Sequence, residues 1–244
     1  PYCNIYSSFM QRAYDQVIHD VAIQKLKVVF CLDRGGLVGE DGVTHHGTFD
    51  LAYFNCIPEM FVAAPMDEVE LRNMLYSAQD KKYKTTSIRY PRGTGVGMKD
   101  WRRPFQFMEP GKARLLHEGI DMALLSLGAA GIMGAQAVAR AAEQGIAVQH
   151  YDMRFLKPVD RDVLDYVART FKKVITLEDG CLIGGLNSTV STYMANHPGA
   201  ISKVTGLGVP DRFIEQGKTR QLYRECGYDT DSITEAILTL AQTF

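Results

Sequence analysis

Val28-Val29-Phe30-Cys31-Leu32 is an apolar run of strand length bounded by charge,. Behind it comes Asp33 to Gly47, DRGGLVGEDGVTHHG, with five glycines, three acids, one arginine and two adjacent histidines. That is too many glycines for a helix interior and too many ionisable groups for a simple linker. A glycine-rich loop leaving the carboxyl end of a buried strand is where open α/β sheets place their ligand chemistry. Glycine allows positive φ and close backbone approach to a ligand. Within this loop Arg34 can grip a phosphate or carboxylate, and His45 can carry protons near neutral pH. The alternative is a solvated loop with scattered polar residues, since most loops are connectors.

The rest of the chain repeats strand and helix. A short strand is expected over 2–8, with Ser7-Ser8 offering a cap for a helix over 9–24. A short helix begins near Thr48 and breaks at Pro58. A strand follows over 60–64. Asp67 then caps a helix whose first turn is acidic, as the helix dipole favours. Thr85–Tyr90 reads as a strand closing on Pro91-Arg92-Gly93. Such alternation implies a mostly parallel sheet covered by helices. Gly93 to Pro110 changes character and reads as a linker, with a boundary near residue 105. Its basic stretch Lys99-Asp100-Trp101-Arg102-Arg103 is short enough to be solvated surface. The pattern then restarts. Strands are expected over 111–117, 122–127, 147–152, 173–177 and 201–207, and helices over 132–144, 160–170, 186–196, 217–226 and 231–243. Gly128-x-x-Gly131 lacks the full dinucleotide fingerprint, and tight strand–helix packing explains it better. Glu178-Asp179, at a strand end, reads as a pair of solvated acids.

Composition narrows the function classes. A formal net charge of −1 gives no general pull toward nucleic acid or anionic lipid,. No apolar run approaches the roughly 20 residues of a membrane span. Neither nucleic acid nor membrane is therefore expected as a partner. Five scattered cysteines without CxxC spacing suggest reduced thiols in a cytoplasmic protein rather than a zinc or redox motif. No metal-ligand set stands out. Pro1 is not an initiator methionine, so a piece of something longer is expected.

Three stretches then become specific: Ile5 to Asp20 (IYSSFMQRAYDQVIHD), Asp33 to Gly47, and Arg89-Tyr90-Pro91-Arg92-Gly93. In this order, and with Arg154-Phe155-Leu156-Lys157-Pro158 further on, the chain resembles the 1-deoxy-D-xylulose-5-phosphate synthases, thiamine-diphosphate enzymes related to transketolase. The resemblance implies an α/β protein in two parts. Residues 1–104 would be the later part of a pyrimidine-binding, transketolase-like parallel-sheet domain, and 105–244 a transketolase C-terminal α/β domain. It also implies a transferase reaction in which pyruvate and glyceraldehyde 3-phosphate join with loss of carbon dioxide. The family serves isoprenoid precursor, thiamine and pyridoxal biosynthesis. Its members use thiamine diphosphate and Mg2+ and form homodimers. They hold the diphosphate and metal through a GDG-type motif in an N-terminal domain, which is absent here, so the piece alone is expected to be inactive.

By the same resemblance, Phe9 stacks on the cofactor's aminopyrimidine, and Tyr6 is an active-site tyrosine. Arg34 and Arg92 hold the substrate phosphate. His45 works on protons with Asp41 nearby, and Arg12 is a weaker addition. Arg89 reads as structural. His46 stands where glutamine is common and Gly35 where alanine is common; His46 thereby adds a second titratable ring. Two rival readings are a non-catalytic dimerisation or binding module and a β-type chain of a related 2-oxoacid dehydrogenase. The second would need an activating glutamate before Phe9, and none of the eight residues there is acidic.

Overall fold

The computed structural model describes residues 1–97 and 102–243. Residues 98–101, and with them most of the basic stretch in the linker, lie outside it; Arg102 and Arg103 are exposed. The chain forms two five-stranded sheets. In the first, β1 (Tyr2–Tyr6), β2 (Val29–Asp33), β3 (Phe61–Ala63) and β4 (Thr86–Arg89) run parallel in the order β1-β2-β4-β3. The second contains β5 (Arg114–His117), β6 (Met122–Leu127), β7 (Val148–Asp152), β9 (Lys173–Cys181) and β10 (Lys203–Val209) in the order β10-β9-β6-β7-β5. It is parallel except at β5. One strand crosses over: β8 (Phe155–Lys157) pairs antiparallel with β3, so the first sheet takes its fifth strand from the second half of the chain. Three residues give periodicity too little to read, and this strand has no counterpart in the sequence expectations.

The expected helix over 9–24 is helical over 7–22 but changes pitch. It consists of α1 (Ser7–Met10), a 3-10 turn (Gln11–Ala13), α2 (Tyr14–Gln16) and a π turn (Val17–Ala22). Such interruptions are frequent beside functional sites. Tyr6, not a serine, occupies the cap position. The hydroxyls of Ser7 and Ser8 are buried without a hydrogen-bond partner among the described residues. The remaining helices are α3 (Asp50–Asn55), α4 (Glu68–Ser77), α5 (Ala130–Ala142), α6 (Arg161–Thr170), α7 (Leu186–Asn196), α8 (Thr219–Glu225) and α9 (Thr230–Gln242). Asp67 caps α4 through the Glu70 N–H, as the sequence predicts. The cap of α9 is Asp229, bonded to the Ser232 N–H. Among the described residues no helix is long and apolar enough to cross a membrane.

A single apolar cluster spans both sheets. Phe30, Leu32, Leu51 and Phe54 from the first half share it with Leu125, Met153, Leu156 and Leu164 from the second. Burial of each such side chain stabilises by about 1.5–3 kcal/mol, so the halves are joined by core rather than by surface contact. Residues 103–108 run back along α4: Arg72 donates to the Arg103 carbonyl, and Tyr76 stacks on Phe105.

Inside the second sheet, His150 is fully buried, with Nε2 2.8 Å from the Ser126 hydroxyl. Burial pushes its pKa down to about 4, helped by His117 and Arg114. A group whose folded pKa is depressed stabilises the protein above its unfolded value, and that stability is lost as pH falls toward the folded pKa. The stability advantage of wild type over His150→Leu is therefore expected to shrink from about pH 6.5 to about pH 4, by an amount on the order of 3 kcal/mol. Denaturant unfolding at both ends of that window checks this; a pH-independent difference would contradict it.

Candidate active site

The site lies at the carboxyl ends of β1, β2 and β4. Strand register sets it up: Tyr6 pairs with Asp33, and Leu32 pairs with Arg89. The chain continuing from each strand therefore emerges on the same edge, bringing Phe9, Arg34 and Arg92 toward one region. Arg34 leaves β2 with φ 57°, a left-handed conformation unusual for a side chain of this size,. That turn lays its guanidinium over the Tyr6 ring, 3.8 Å from the centroid, while it pairs with Asp33. Tyr6 in turn stacks on Phe9, centroids 5.0 Å apart, and Phe9 meets His45 edge-on at 5.5 Å. Arg34, Tyr6, Phe9 and His45 thus form one continuous line of contacts.

Arg92 joins the same loop from the other side. It pairs with Asp41 at 3.1 Å and donates to the Val38 carbonyl at 3.2 Å. Asp41 accordingly faces an arginine, not His45. His45 Nδ1 lies 2.9 Å from the Thr44 hydroxyl. Arg12 is exposed on the 3-10 turn and has no place in these contacts. His46, the second ring, is buried and committed. Its Nδ1 accepts from the Val38 N–H (3.1 Å), which leaves Nε2–H to face the Glu215 carbonyl at 3.3 Å. His45 is thus the one of the two rings left at the contact line.

Beneath the loop is a buried charge cluster. Arg89 Nε donates to Asp50 Oδ2 at 2.8 Å, and its Nη2 donates to the carbonyls of Gly47 and Asp179, both at 2.9 Å. Glu178 and Asp179 are buried, contrary to the reading of a solvated pair. The reason is that β9 continues past Leu177 to Cys181 and carries both acids inward. Glu178 there accepts from the Leu186 and Asn187 N–H groups at the start of α7. Burial pushes its pKa up to about 7. Burial likewise raises Asp50 and Asp179, against the pull of Arg89. Sequence spacing could not reveal these partners, since 90 residues separate Arg89 from Asp179.

Phe9 keeps 42% of its surface exposed. An exposed aromatic ring suits stacking on a flat heterocycle such as an aminopyrimidine. The same region offers two arginines for an anion.

Two family models match in tandem: the transketolase pyrimidine binding domain over residues 1–96 and the transketolase C-terminal domain over 111–233. The chain is 52% identical to the 1-deoxy-D-xylulose-5-phosphate synthase of Cytophaga hutchinsonii, over 99% of this chain and 38% of that protein. It is 51% identical to the synthase of Bacteroides fragilis, over 97% and 36%. The chain therefore spans little more than a third of the length of these relatives. Among solved structures it resembles a chain described as split gene transketolase, inactive beta4 tetramer. The TM-score is 0.82 and the identity 27%, covering 98% of this chain and 75% of that one. With the two family models matched in tandem, the second over half of its length, this chain belongs to the transketolase family.

Proposed function

We propose that this chain supplies the pyrimidine and acceptor-phosphate side of a 1-deoxy-D-xylulose-5-phosphate synthase. The observation that carries the reading is the contact line Arg34–Tyr6–Phe9–His45 with the Arg92–Asp41 pair on the same loop. The substrates are pyruvate and glyceraldehyde 3-phosphate, and the assembled enzyme is a homodimer. Thiamine diphosphate, when bound, supplies the carbanion chemistry by which pyruvate loses carbon dioxide. Its diphosphate and Mg2+ are held by residues outside this chain, so the chain by itself does not turn over. The division of labour near residues 104 and 105 follows the linker.

In this reading each residue has a bounded task. Phe9 offers its open face to the aminopyrimidine, with Tyr6 stacked behind it to fix the ring. Arg34 and Arg92 converge on the acceptor phosphate, each presenting a planar fork of donors. Asp41 keeps Arg92 extended over the loop until the phosphate competes for it. His45, its edge on Phe9, donates a proton to the acceptor's carbonyl oxygen as the new carbon–carbon bond turns that oxygen into a hydroxyl. Arg12 stays outside this set.

Phe9→Ala in the full-length protein is expected to weaken thiamine diphosphate about tenfold, the value of one aromatic stacking contact. Calorimetric titration in the presence of Mg2+ checks this. Unchanged affinity would remove Phe9 from the cofactor site, and a wild type that binds no thiamine diphosphate would overturn the reading. A second reading follows from the likeness to a split-gene transketolase chain: a separately made chain that works only with a partner chain. The intact mass of the native polypeptide separates the two.

A further inference from the structure

The loop that carries Arg34 and His45 has a closed neck. Gly36 N–H donates to the Gly47 carbonyl at 2.6 Å, and Gly47 N–H donates back to Gly36 at 2.8 Å. Arg34 and His45 each stand two residues before one side of this double bond. Whatever fixes the neck therefore fixes both side chains at once. Asp179, from the second sheet, sits directly on it. Its Oδ1 accepts from the Leu37 N–H at 3.0 Å and from the Tyr228 hydroxyl at 2.8 Å, and its Oδ2 accepts from the Tyr223 hydroxyl at 3.2 Å. The carboxylate is so close that a Cβ on Gly36 would lie 2.0 Å from Oδ2. Gly36 also has φ 85°, so only glycine fits this contact,.

Two further ties connect the loop to the second half. Gly217 N–H donates to the Gly39 carbonyl at 3.3 Å, and His46 reaches Glu215. Asp179 differs from these because its carboxyl group is buried at a cost that an apolar residue of similar size would not incur,. Three donors from two separate segments engage both of its oxygens and hold it in place. Such an arrangement specifies geometry more than it adds stability.

We propose that Asp179 is a positioning residue: held by Tyr223 and Tyr228, it pins the loop neck at Leu37 and so sets where Arg34 and His45 stand against the acceptor. The C-terminal half then contributes to acceptor recognition without touching substrate. This rests on the acceptor-phosphate reading above, but one arm of its test does not.

In the full-length protein, Asp179→Ala is expected to speed hydrogen exchange across residues 35–47 at least about tenfold, with β6 and β10 unchanged. Asp179→Asn, which keeps an acceptor for the Leu37 N–H, stays within about threefold of wild type. In steady-state assays with pyruvate, Asp179→Ala raises the KM for glyceraldehyde 3-phosphate about tenfold or more while the KM for unphosphorylated glyceraldehyde changes little. A purely structural role would disturb both aldehydes alike and give no rescue by asparagine. Should Asp179→Ala fail to fold, Tyr223→Phe removes one donor at a partly exposed position and is expected to move exchange and KM a few-fold the same way. Unchanged exchange over 35–47 in these variants would overturn the proposal. A wild type indifferent to the aldehyde's phosphate would instead sink the acceptor reading, and the exchange rates would then decide positioning by themselves.

Discussion

Arg34→Ala raises the KM for glyceraldehyde 3-phosphate roughly 10- to 100-fold and leaves the KM for pyruvate within about twofold. The magnitude follows from the charge-assisted hydrogen bonds that one guanidinium makes to a phosphate, worth about 1.5–3 kcal/mol. Arg34 is suited to this because it already stands over the Tyr6 ring and is paired with Asp33, so little is lost in ordering it,. Arg92→Ala acts in the same direction. Its side chain is more exposed, at 45%, but Asp41 and the Val38 carbonyl restrain it. The double variant falls short of the product of the two, since both arginines serve one ligand. Fold stability is expected to change little, because both side chains lie at the solvent edge. Steady-state kinetics with the phosphorylated and unphosphorylated aldehydes checks all of this. Equal losses on the two aldehydes would show that the arginines hold the protein together rather than the phosphate.

Arg89→Met has the opposite signature: a large stability cost, with kinetics following from it. The guanidinium is buried and bonded to Asp50, Gly47 and Asp179. Its removal leaves the carboxylates of Asp50 and Asp179 without their cation, a loss of about 3–5 kcal/mol for a broken buried pair. Thermal unfolding should shift down by roughly 10 °C. The deficit depends on pH with a definite sign. Burial already raises Asp50 and Asp179, and removing Arg89 raises them further. A carboxyl whose folded pKa is raised stabilises while it remains protonated, and that contribution is lost as pH rises through the folded value. The variant's deficit should therefore be smaller at about pH 5 than at about pH 8. Asp50→Asn added to Arg89→Met is expected to recover part of the loss. A melting temperature near wild type would contradict the buried-cluster interpretation.

The strands and helices legible in the sequence were those with long or sharply bounded patterns. The apolar run before Asp33 and the Asp67 cap each carry a local signal, and each element forms close to where that signal places it. What local pattern cannot carry is pairing across the chain. β8 has three residues and owes its place to a partner strand far earlier in the chain, with Val62 paired to Lys157 and Ala63 to Phe155. Glu178 and Asp179 look solvated in isolation, since two adjacent acids usually are; only the extended β9 and the donors from Leu37, Tyr223, Tyr228, Leu186 and Asn187 make their burial tolerable. The same holds for the site. Motif resemblance marked Tyr6, Phe9, Arg34, Asp41, His45 and Arg92, and the strand-end register brings these six into one region. Asp41 facing Arg92, and His46 committed to Val38 and Glu215, emerge only in three dimensions.

The proposed reaction, pyruvate joined to a phosphorylated aldehyde, can be followed by its carbon dioxide. The most direct measurement incubates the full-length protein, thiamine diphosphate and Mg2+ with carboxyl-labelled pyruvate, and follows labelled carbon dioxide before and after glyceraldehyde 3-phosphate is added. Carbon dioxide and 1-deoxyxylulose 5-phosphate appearing in equal amounts once the aldehyde is present is the expected result. Carbon transfer from a ketose phosphate with pyruvate untouched would contradict it and assign the site to a transketolase reaction instead.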